Sequence, residues 1–307
     1  MLLPTPTPKS QDINLNMSAI GYYLFYAFAW LLALLPMRIL YFISDIIFLL
    51  VYYSGYRKKV VKTNLRNSFP EKSRKELLDI ERKFYRHFVD FMIEILVLNH
   101  LSLKQLQKRC TFSNLEILDK FFAEKRDVVA IVAHYNNWEW YNFSSYVFKH
   151  QQVVIYKPLQ DKRFNDYINK VRTKYGVMIS SMSNVIRDII DLRNRKINFV
   201  ANIISDQTPA PGDIRYWTNF LNQDTPVYTG AEKIASKYDM AMVFYHIQKK
   251  GRGRYNLNVE LLFEHTAGLP EHIITEAHVK HLENIIKERP EYWLWTHRRW
   301  KRKRTVQ

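Results

Sequence analysis

From Ile13 to Met37 the chain carries no charged residue. A run like this can be hidden only in a hydrophobic core or a bilayer, and its length is about what a helix needs to cross a membrane. Pro36 ends it. A second apolar run, Ile39 to Tyr53, follows Arg38 and is interrupted only by Asp45. Arg57, Lys58 and Lys59 then form a basic flank of the kind that stays cytoplasmic. A cleaved signal peptide does not fit, because the apolar region is too long and has neither a basic stretch directly before it nor a small-residue cleavage site. Tyr22, Tyr23, Tyr26, Trp30, Tyr41, Tyr52 and Tyr53 suit a segment near lipid headgroups. A helical hairpin buried in a soluble protein is the competing reading. The expected organisation is a disordered, proline-rich stretch over 1–16, with Met17 as an alternative start. A membrane anchor over 17–56 follows, either one transmembrane helix or a helical hairpin, and then a domain over 57–307.

That domain reads as α/β. Ser73-Arg74-Lys75-Glu76 is a capping box, followed by apolar residues at helical spacing from Leu77 to Leu96. Ser113-Asn114-Leu115-Glu116 looks like a second box, opening a helix to about Arg126. Strands are expected at 128–133, 153–156, 197–204, 241–246 and 255–262. The last two form a hairpin around Gly251-Arg252-Gly253-Arg254. Helices are expected at 164–175, 185–193, 231–237 and 274–289. The fold class is a single domain with a central mixed sheet flanked by helices.

Composition removes several function classes. Eight glycines, with neither GxGxxG nor GxxxxGK[ST], argue against a nucleotide cradle. Cys110 is the single cysteine, so there is no intramolecular disulfide, and a cytosol-facing location fits. No CxxC or HExxH offers a zinc site. The net charge of +17 calls for an anionic partner, and the apolar N-terminus favours a membrane over nucleic acid.

The strand-like run Val128–Val132 leads into Ala133-His134-Tyr135-Asn136-Asn137-Trp138-Glu139. The end of a buried strand is where α/β proteins place reactive groups. A histidine able to take a proton, with a carboxylate to hold its tautomer, is what acyl transfer to a hydroxyl needs. A polar residue merely satisfied at a strand end is the alternative. On a regular helix five residues turn about 500°, leaving the two side chains about 140° apart. The pair therefore requires His134 in a loop and Glu139 in the first turn of the next helix, with Asn136 or Asn137 as cap. Such a helix N-terminus would also favour a developing oxyanion.

Three further clusters follow: Tyr156-Lys157-Pro158 with Arg172 at a helix end, Asn202 to Pro209 containing Asp206-Gln207, and Arg289 to Arg302. Taken alone, Arg172 reads as a solvated helix-end charge or a phosphate ligand. Asp206 reads equally as a turn former. The tail, with Arg298, Arg299 and Lys301 interleaved among Trp293, Trp295 and Trp300, reads as a nucleic-acid patch or an interfacial anchor, and the apolar N-terminus favours the anchor.

Together with Asn64-Leu65-Arg66-Asn67-Ser68-Phe69-Pro70-Glu71-Lys72, these clusters resemble the late (lauroyl/myristoyl) acyltransferases of lipid A biosynthesis, a branch of the glycerolipid acyltransferases with their His-x4-Asp/Glu motif. The resemblance covers nearly the whole chain. It implies His134 as general base, Glu139 as the group that orients it, and Arg172 and Asp206 as active-site residues. Asn136, Asn137, Lys157, Gln207, Arg298 and Arg299 are candidates for substrate contact. Tyr135 stands where the family commonly has Phe, and the polar Asn136 and Asn137 bear on pocket lining. The implied reaction moves an acyl chain from acyl carrier protein, or from coenzyme A, to a hydroxyl of a lipid A precursor, giving an acyloxyacyl group. It needs no metal or other cofactor. The implied place is the cytoplasmic face of the bacterial inner membrane, with acyl carrier protein and anionic lipid as partners and no nucleic acid. Acylation of a lyso-aminolipid or lysophospholipid, and a non-catalytic membrane-binding scaffold, are the alternatives. Direct transfer is expected, with Cys110 carrying no acyl group. Phe84, Phe88, Phe91 and Met92 are candidates for the floor of an acyl tunnel.

Overall fold

Five consecutive apolar residues can be satisfied only where both faces of a strand are covered, and Val128–Val132 is buried at every position. A computed structural model describes residues 10–158 and 161–304, with side chains from Gly21 onward. The strands are β1 (Cys110–Ser113), β2 (Val128–Val132), β3 (Gln151–Tyr156), β4 (Met178–Ser181), β5 (Phe199–Ile204), β6 (Tyr216–Phe220), β7 (Gln223–Val227), β8 (Ala241–Gly251) and β9 (Arg254–Phe263). Seven of them form one sheet in the order β1-β9-β8-β2-β5-β3-β4, and β6 and β7 form a separate antiparallel pair. β2 is central, parallel to β5 on one side and to β8 on the other. The β8–β9 hairpin makes the sheet mixed.

Helices α1 (Ser10–Ala33), α2 (Met37–Tyr53), α3 (Lys58–Ser68), α4 (Arg74–Leu98), α5 (Leu103–Gln107), α6 (Leu115–Ala123), α7 (Lys162–Thr173), α8 (Val185–Asn194), α9 (Gly230–Tyr238) and α10 (Ile273–Glu288) surround the sheet. One layer joins Val129 and Ile131 of β2 to Ile189 of α8, Ile234 of α9 and Ile286 of α10. The other joins Val128 and Ala130 to Val97 of α4, Phe121 of α6 and Val171 of α7. Each fully buried Val or Ile in these layers contributes about 1.5–3 kcal/mol.

The predicted strands and helices are all present, with ends shifted by a few residues. The short strands β1 and β4 and the β6–β7 pair were not expected, because four or five residues mixed with Ser, Thr and Asn carry little alternation to read. The Ser73 capping box forms, with Ser73 Oγ accepting from the Glu76 amide and Glu76 accepting from the Ser73 amide. The expected box at Ser113 does not. Ser113 is a strand residue whose hydroxyl donates to Asn258, and Asn114, at φ 59°, caps α6 without its side chain. The second box is instead Ser102 with Gln105, opening α5.

The N-terminal region departs from a simple anchor. α1 begins at Ser10, inside the stretch expected to be disordered, and residues 1–9 lie outside the described residues. Among the described residues no single helix is long and apolar enough to cross a membrane. Met37–Tyr53 with Lys58–Ser68 qualifies only as a pair bent by 84°. α2 buries Leu40, Tyr41, Ser44 and Phe48, and it packs against α4. Its other face exposes Phe42, Ile46, Leu50 and Tyr53. Asp45, the one charge in this apolar run, is matched by Arg252 of the β8–β9 turn, whose Nη1 and Nη2 donate to it at 2.9 Å. The same guanidinium donates to Asp90 of α4. The turn docks so closely that a Cβ at Gly253, where φ is +64°, would lie 1.8 Å from the Tyr41 hydroxyl oxygen. Only glycine fits that approach.

α10 carries a buried titration. His278 is 3% exposed, and burial pushes its imidazole down to about 4. A histidine with a depressed folded pKa must enter the core neutral. Its contribution is therefore present above the unfolded pKa near 6.5 and is lost as pH falls toward 4. Stability should drop by about 2 kcal/mol between pH 6.5 and pH 5. Urea titrations at the two pH values should show this, and His278→Leu should shrink the difference by that amount, leaving what the buried His87 and the half-buried His297 contribute. A drop in the variant as large as in the parent would show that His278 contributes nothing to it.

Candidate active site

Parallel pairing brings the site together. Val132 of β2 lies opposite Ile204 of β5, so His134 and Asp206, each two residues further on, emerge side by side at the carboxyl end of the sheet. His134 Nδ1 lies 2.7 Å from Asp206 Oδ1. The His134 amide donates to Asp206 Oδ2 at 3.0 Å, and the Trp293 indole donates to the same oxygen at 2.8 Å. Burial raises the Asp206 pKa, but the charge of His134 and these three hydrogen bonds outweigh it, and the carboxyl lies below its ordinary range. An ionised Asp206 holds the ring proton on Nδ1 and leaves Nε2 as the basic nitrogen. Gln207 Nε2 sits 3.1 Å from it. The edge of the His134 ring packs against Trp138, with centroids 4.7 Å apart.

The group that orients His134 is therefore Asp206 and not Glu139. Glu139 does lie in the first turn of a helix, and Asn137 does cap it, accepting from the Trp140 amide. That helix is a single 3-10 turn over Trp138–Tyr141, too short to supply the expected dipole. Glu139 turns instead to Arg172 at the end of α7, which donates to both its oxygens, through Nε at 3.1 Å and through Nη2. The Trp138 indole also donates to Glu139. Two pairs, His134–Asp206 and Glu139–Arg172, thus flank one tryptophan.

Trp138 also separates two cavities. One is lined by Glu139 and Arg172 together with Val132, Tyr141, Tyr245 and Leu257. The other is lined by His134, Asn136, Phe84, Phe88, Phe91 and Trp293. The three phenylalanines proposed as a tunnel floor thus stand beside His134, whereas Met92 is 44% exposed and points outward.

The remaining candidates divide. Gln207 touches His134. Asn136 adopts φ 56° and donates to the Ile247 carbonyl. Asn137 is fully buried and donates to Glu94, which ties the loop to α4. Lys157 and Arg298 are exposed. Arg299 is buried and donates to the Pro226 carbonyl, and burial lowers it to about 10. The aromatic tail is likewise no interfacial belt. Trp293 and Trp295 are in the core, held by Asn64, which donates to the Trp295 and His297 carbonyls. A one-dimensional pattern of Trp among Arg looks the same whether the rings face inward or outward.

Glu94 of α4 was missed altogether. It is fully buried and accepts from Tyr41, Asn137 and Tyr255 at 2.7–2.8 Å. Burial raises its pKa against the pull of those donors. Nothing in sequence distinguishes it from a solvated helix acid. Glu94→Leu strands three buried donors and should cost about 3 kcal/mol or more. Thermal melts should register that loss, and a variant as stable as the parent would contradict it.

Comparison with curated proteins found no match. The family model described as bacterial lipid A biosynthesis acyltransferase matches residues 9–302, which takes in the apolar N-terminal segment, both pairs and the buried tail. The chain belongs to the bacterial lipid A biosynthesis acyltransferase family, and it is an acyltransferase.

Proposed function

We propose that this protein moves a fatty acyl chain from an acyl carrier protein thioester, or a coenzyme A thioester, to a hydroxyl of a lipid A precursor. The observation that carries the mechanism is the His134–Asp206 pair, which takes Nδ1 and leaves Nε2 for the acceptor. His134 Nε2 takes the acceptor's proton as its oxygen attacks the thioester carbonyl. The C–S bond then breaks, and the imidazolium returns the proton to the departing thiolate. Gln207 stands where the acceptor hydroxyl must lie, so the acceptor displaces its side chain. Arg172, with Nε and Nη2 on Glu139, offers its Nη1 donors to the carbonyl oxygen as charge develops. The apolar cavity beside it is assigned to the donor's chain, and the acceptor is assigned to the His134 side of Trp138. Direct transfer is supported by Cys110, which is buried in β1, where burial pushes the thiol well up and keeps it protonated.

Work on lipid A points to bacterial membrane association, and we place the protein on the cytoplasmic face of the inner membrane. The support is the exposed apolar face of α1 and α2, where Leu24, Phe42, Leu50 and Tyr53 are 67–79% exposed. We propose that this face seats the protein in one leaflet. Phe42→Asp with Leu50→Asp should move most of the protein from membrane pellets to the soluble fraction. Unchanged sedimentation would sink the seat.

Mass spectrometry of lipid A from the source bacterium tests the function. Deleting the gene should remove one secondary acyl chain, and the missing mass gives its length. Unchanged lipid A with an altered aminolipid or phospholipid fraction would overturn the acceptor assignment.

A further inference from the structure

A second cleft opens beside the cavity that holds His134. Its volume is about 370 Å³, and it is lined by Lys83, Arg86, Lys249, Arg252 and Arg289, with Asp90 and Glu291 as the only carboxylates. His87 and Tyr292 line both this cleft and the cavity in front of His134. The two spaces therefore share a wall. Tyr292 is tied to the catalytic loop, because its carbonyl accepts from the Asn136 amide at 3.0 Å.

The two carboxylates are already used. Asp90 accepts from Arg252 and from Ser44, and Glu291 accepts from Arg289. Lys83 pairs with Asp79 outside the lining. Lys249 and Arg86 form no ion pair among the described residues. Lys249 Nζ lies 3.2 Å from His87 Nδ1, and the Arg86 guanidinium sits over the Phe48 ring at 5.1 Å. Burial lowers the Lys249 pKa, and burial together with Lys249 keeps His87 well below the usual range. His87 is therefore a neutral acceptor, and it does nothing to neutralise the ammonium. Lys249 feels Asp90, Glu94 and Glu291 at a distance but touches none of them, and a half-buried ammonium with no direct ion pair, beside an unpaired guanidinium, suits an incoming anion with several acceptor oxygens.

We infer that this cleft binds a phosphomonoester of the acceptor glycolipid, with Lys249 and Arg86 as its free cations, and that this contact sets the acceptor hydroxyl at His134 Nε2. The inference rests on the acyltransferase reading above. The same phosphate chemistry is present on the donor side, in phosphopantetheine and coenzyme A, and the shared wall with the His134 cavity, away from the Glu139–Arg172 cavity, favours the acceptor.

The test is steady-state transfer by the full chain in detergent micelles, for the parent, Lys249→Met and Arg86→Ala. The acceptors are a phosphorylated glucosamine-disaccharide lipid and the same lipid after phosphatase treatment. We expect KM for the phosphorylated acceptor to rise about tenfold or more in each variant, KM for the thioester to stay put, and the difference to vanish with the dephosphorylated lipid. Arg86 is exposed on α4, so its variant keeps the test valid if Lys249→Met fails to fold. A rise in KM for the thioester alone overturns the inference in favour of the donor, and unchanged constants overturn it outright. Calorimetric binding of the phosphorylated lipid to His134→Ala separates the two readings. Phosphate-dependent binding that Lys249→Met weakens, in a parent protein that transfers no acyl group, would sink the activity and leave the cleft standing.

Discussion

Asp206→Asn should slow acyl transfer by about 10²–10⁴-fold and leave the fold intact. An asparagine oxygen still accepts from the His134 amide and the Trp293 indole, so the local geometry survives. Its NH2 group, however, now faces His134 Nδ1, which the carboxylate met at 2.7 Å. The ring must then accept at Nδ1 and carry its proton on Nε2, the nitrogen that has to take a proton from the acceptor. The base is lost through its tautomer. His134→Ala should cost a similar factor, and the double variant little more than either single, because the two residues act as one unit. Single-turnover transfer from a labelled thioester reads all three. An Asp206→Asn enzyme within tenfold of the parent would show that Asp206 does not govern the base.

The second large effect concerns Glu139 and Arg172. Their side chains are 12% and 19% exposed, and both oxygens of Glu139 are committed to the guanidinium. Arg172→Ala leaves that carboxylate largely out of water without its counter-ion, which should cost about 3 kcal/mol of stability. It should also lower kcat by about 10²-fold, through loss of the cation proposed to meet the carbonyl oxygen. Removing both partners separates the two losses. Glu139→Ala with Arg172→Ala should melt close to the parent, because no charge is stranded, yet remain as slow as Arg172→Ala alone. If the double variant regained activity together with stability, the pair would be structural only.

Much of this molecule is legible along the chain, for reasons that differ from element to element. β2 is readable because a strand covered on both faces must be apolar throughout. α4 is readable because Ser73 and Glu76 announce its start within four residues. The β8–β9 hairpin is readable because its turn needs glycine at a positive φ, and Gly253 supplies it. These are local constraints, expressed over a few residues. The motif at His134 is also local, and so is the condition that Glu139 lie in the turn after it.

The partners of the charged groups are a different matter. Proximity along the chain suggested Glu139 as the carboxylate for His134, but the nearer partner in space is 72 residues away, delivered by the pairing of β5 beside β2. Asp45 looked like a blemish in a membrane helix until Arg252 arrived from the hairpin 207 residues later. Glu94 resembled any acid on a helix, and the tail tryptophans looked interfacial, until packing turned all of them inward. The sequence by itself determined the α/β class and most elements, and its resemblance to the family singled out the four residues that the structure brings together in two pairs. Only the tertiary structure decided which carboxylate serves which cation, since apolar periodicity is a property of one segment whereas a charge is satisfied by whatever the fold brings within 3 Å of it.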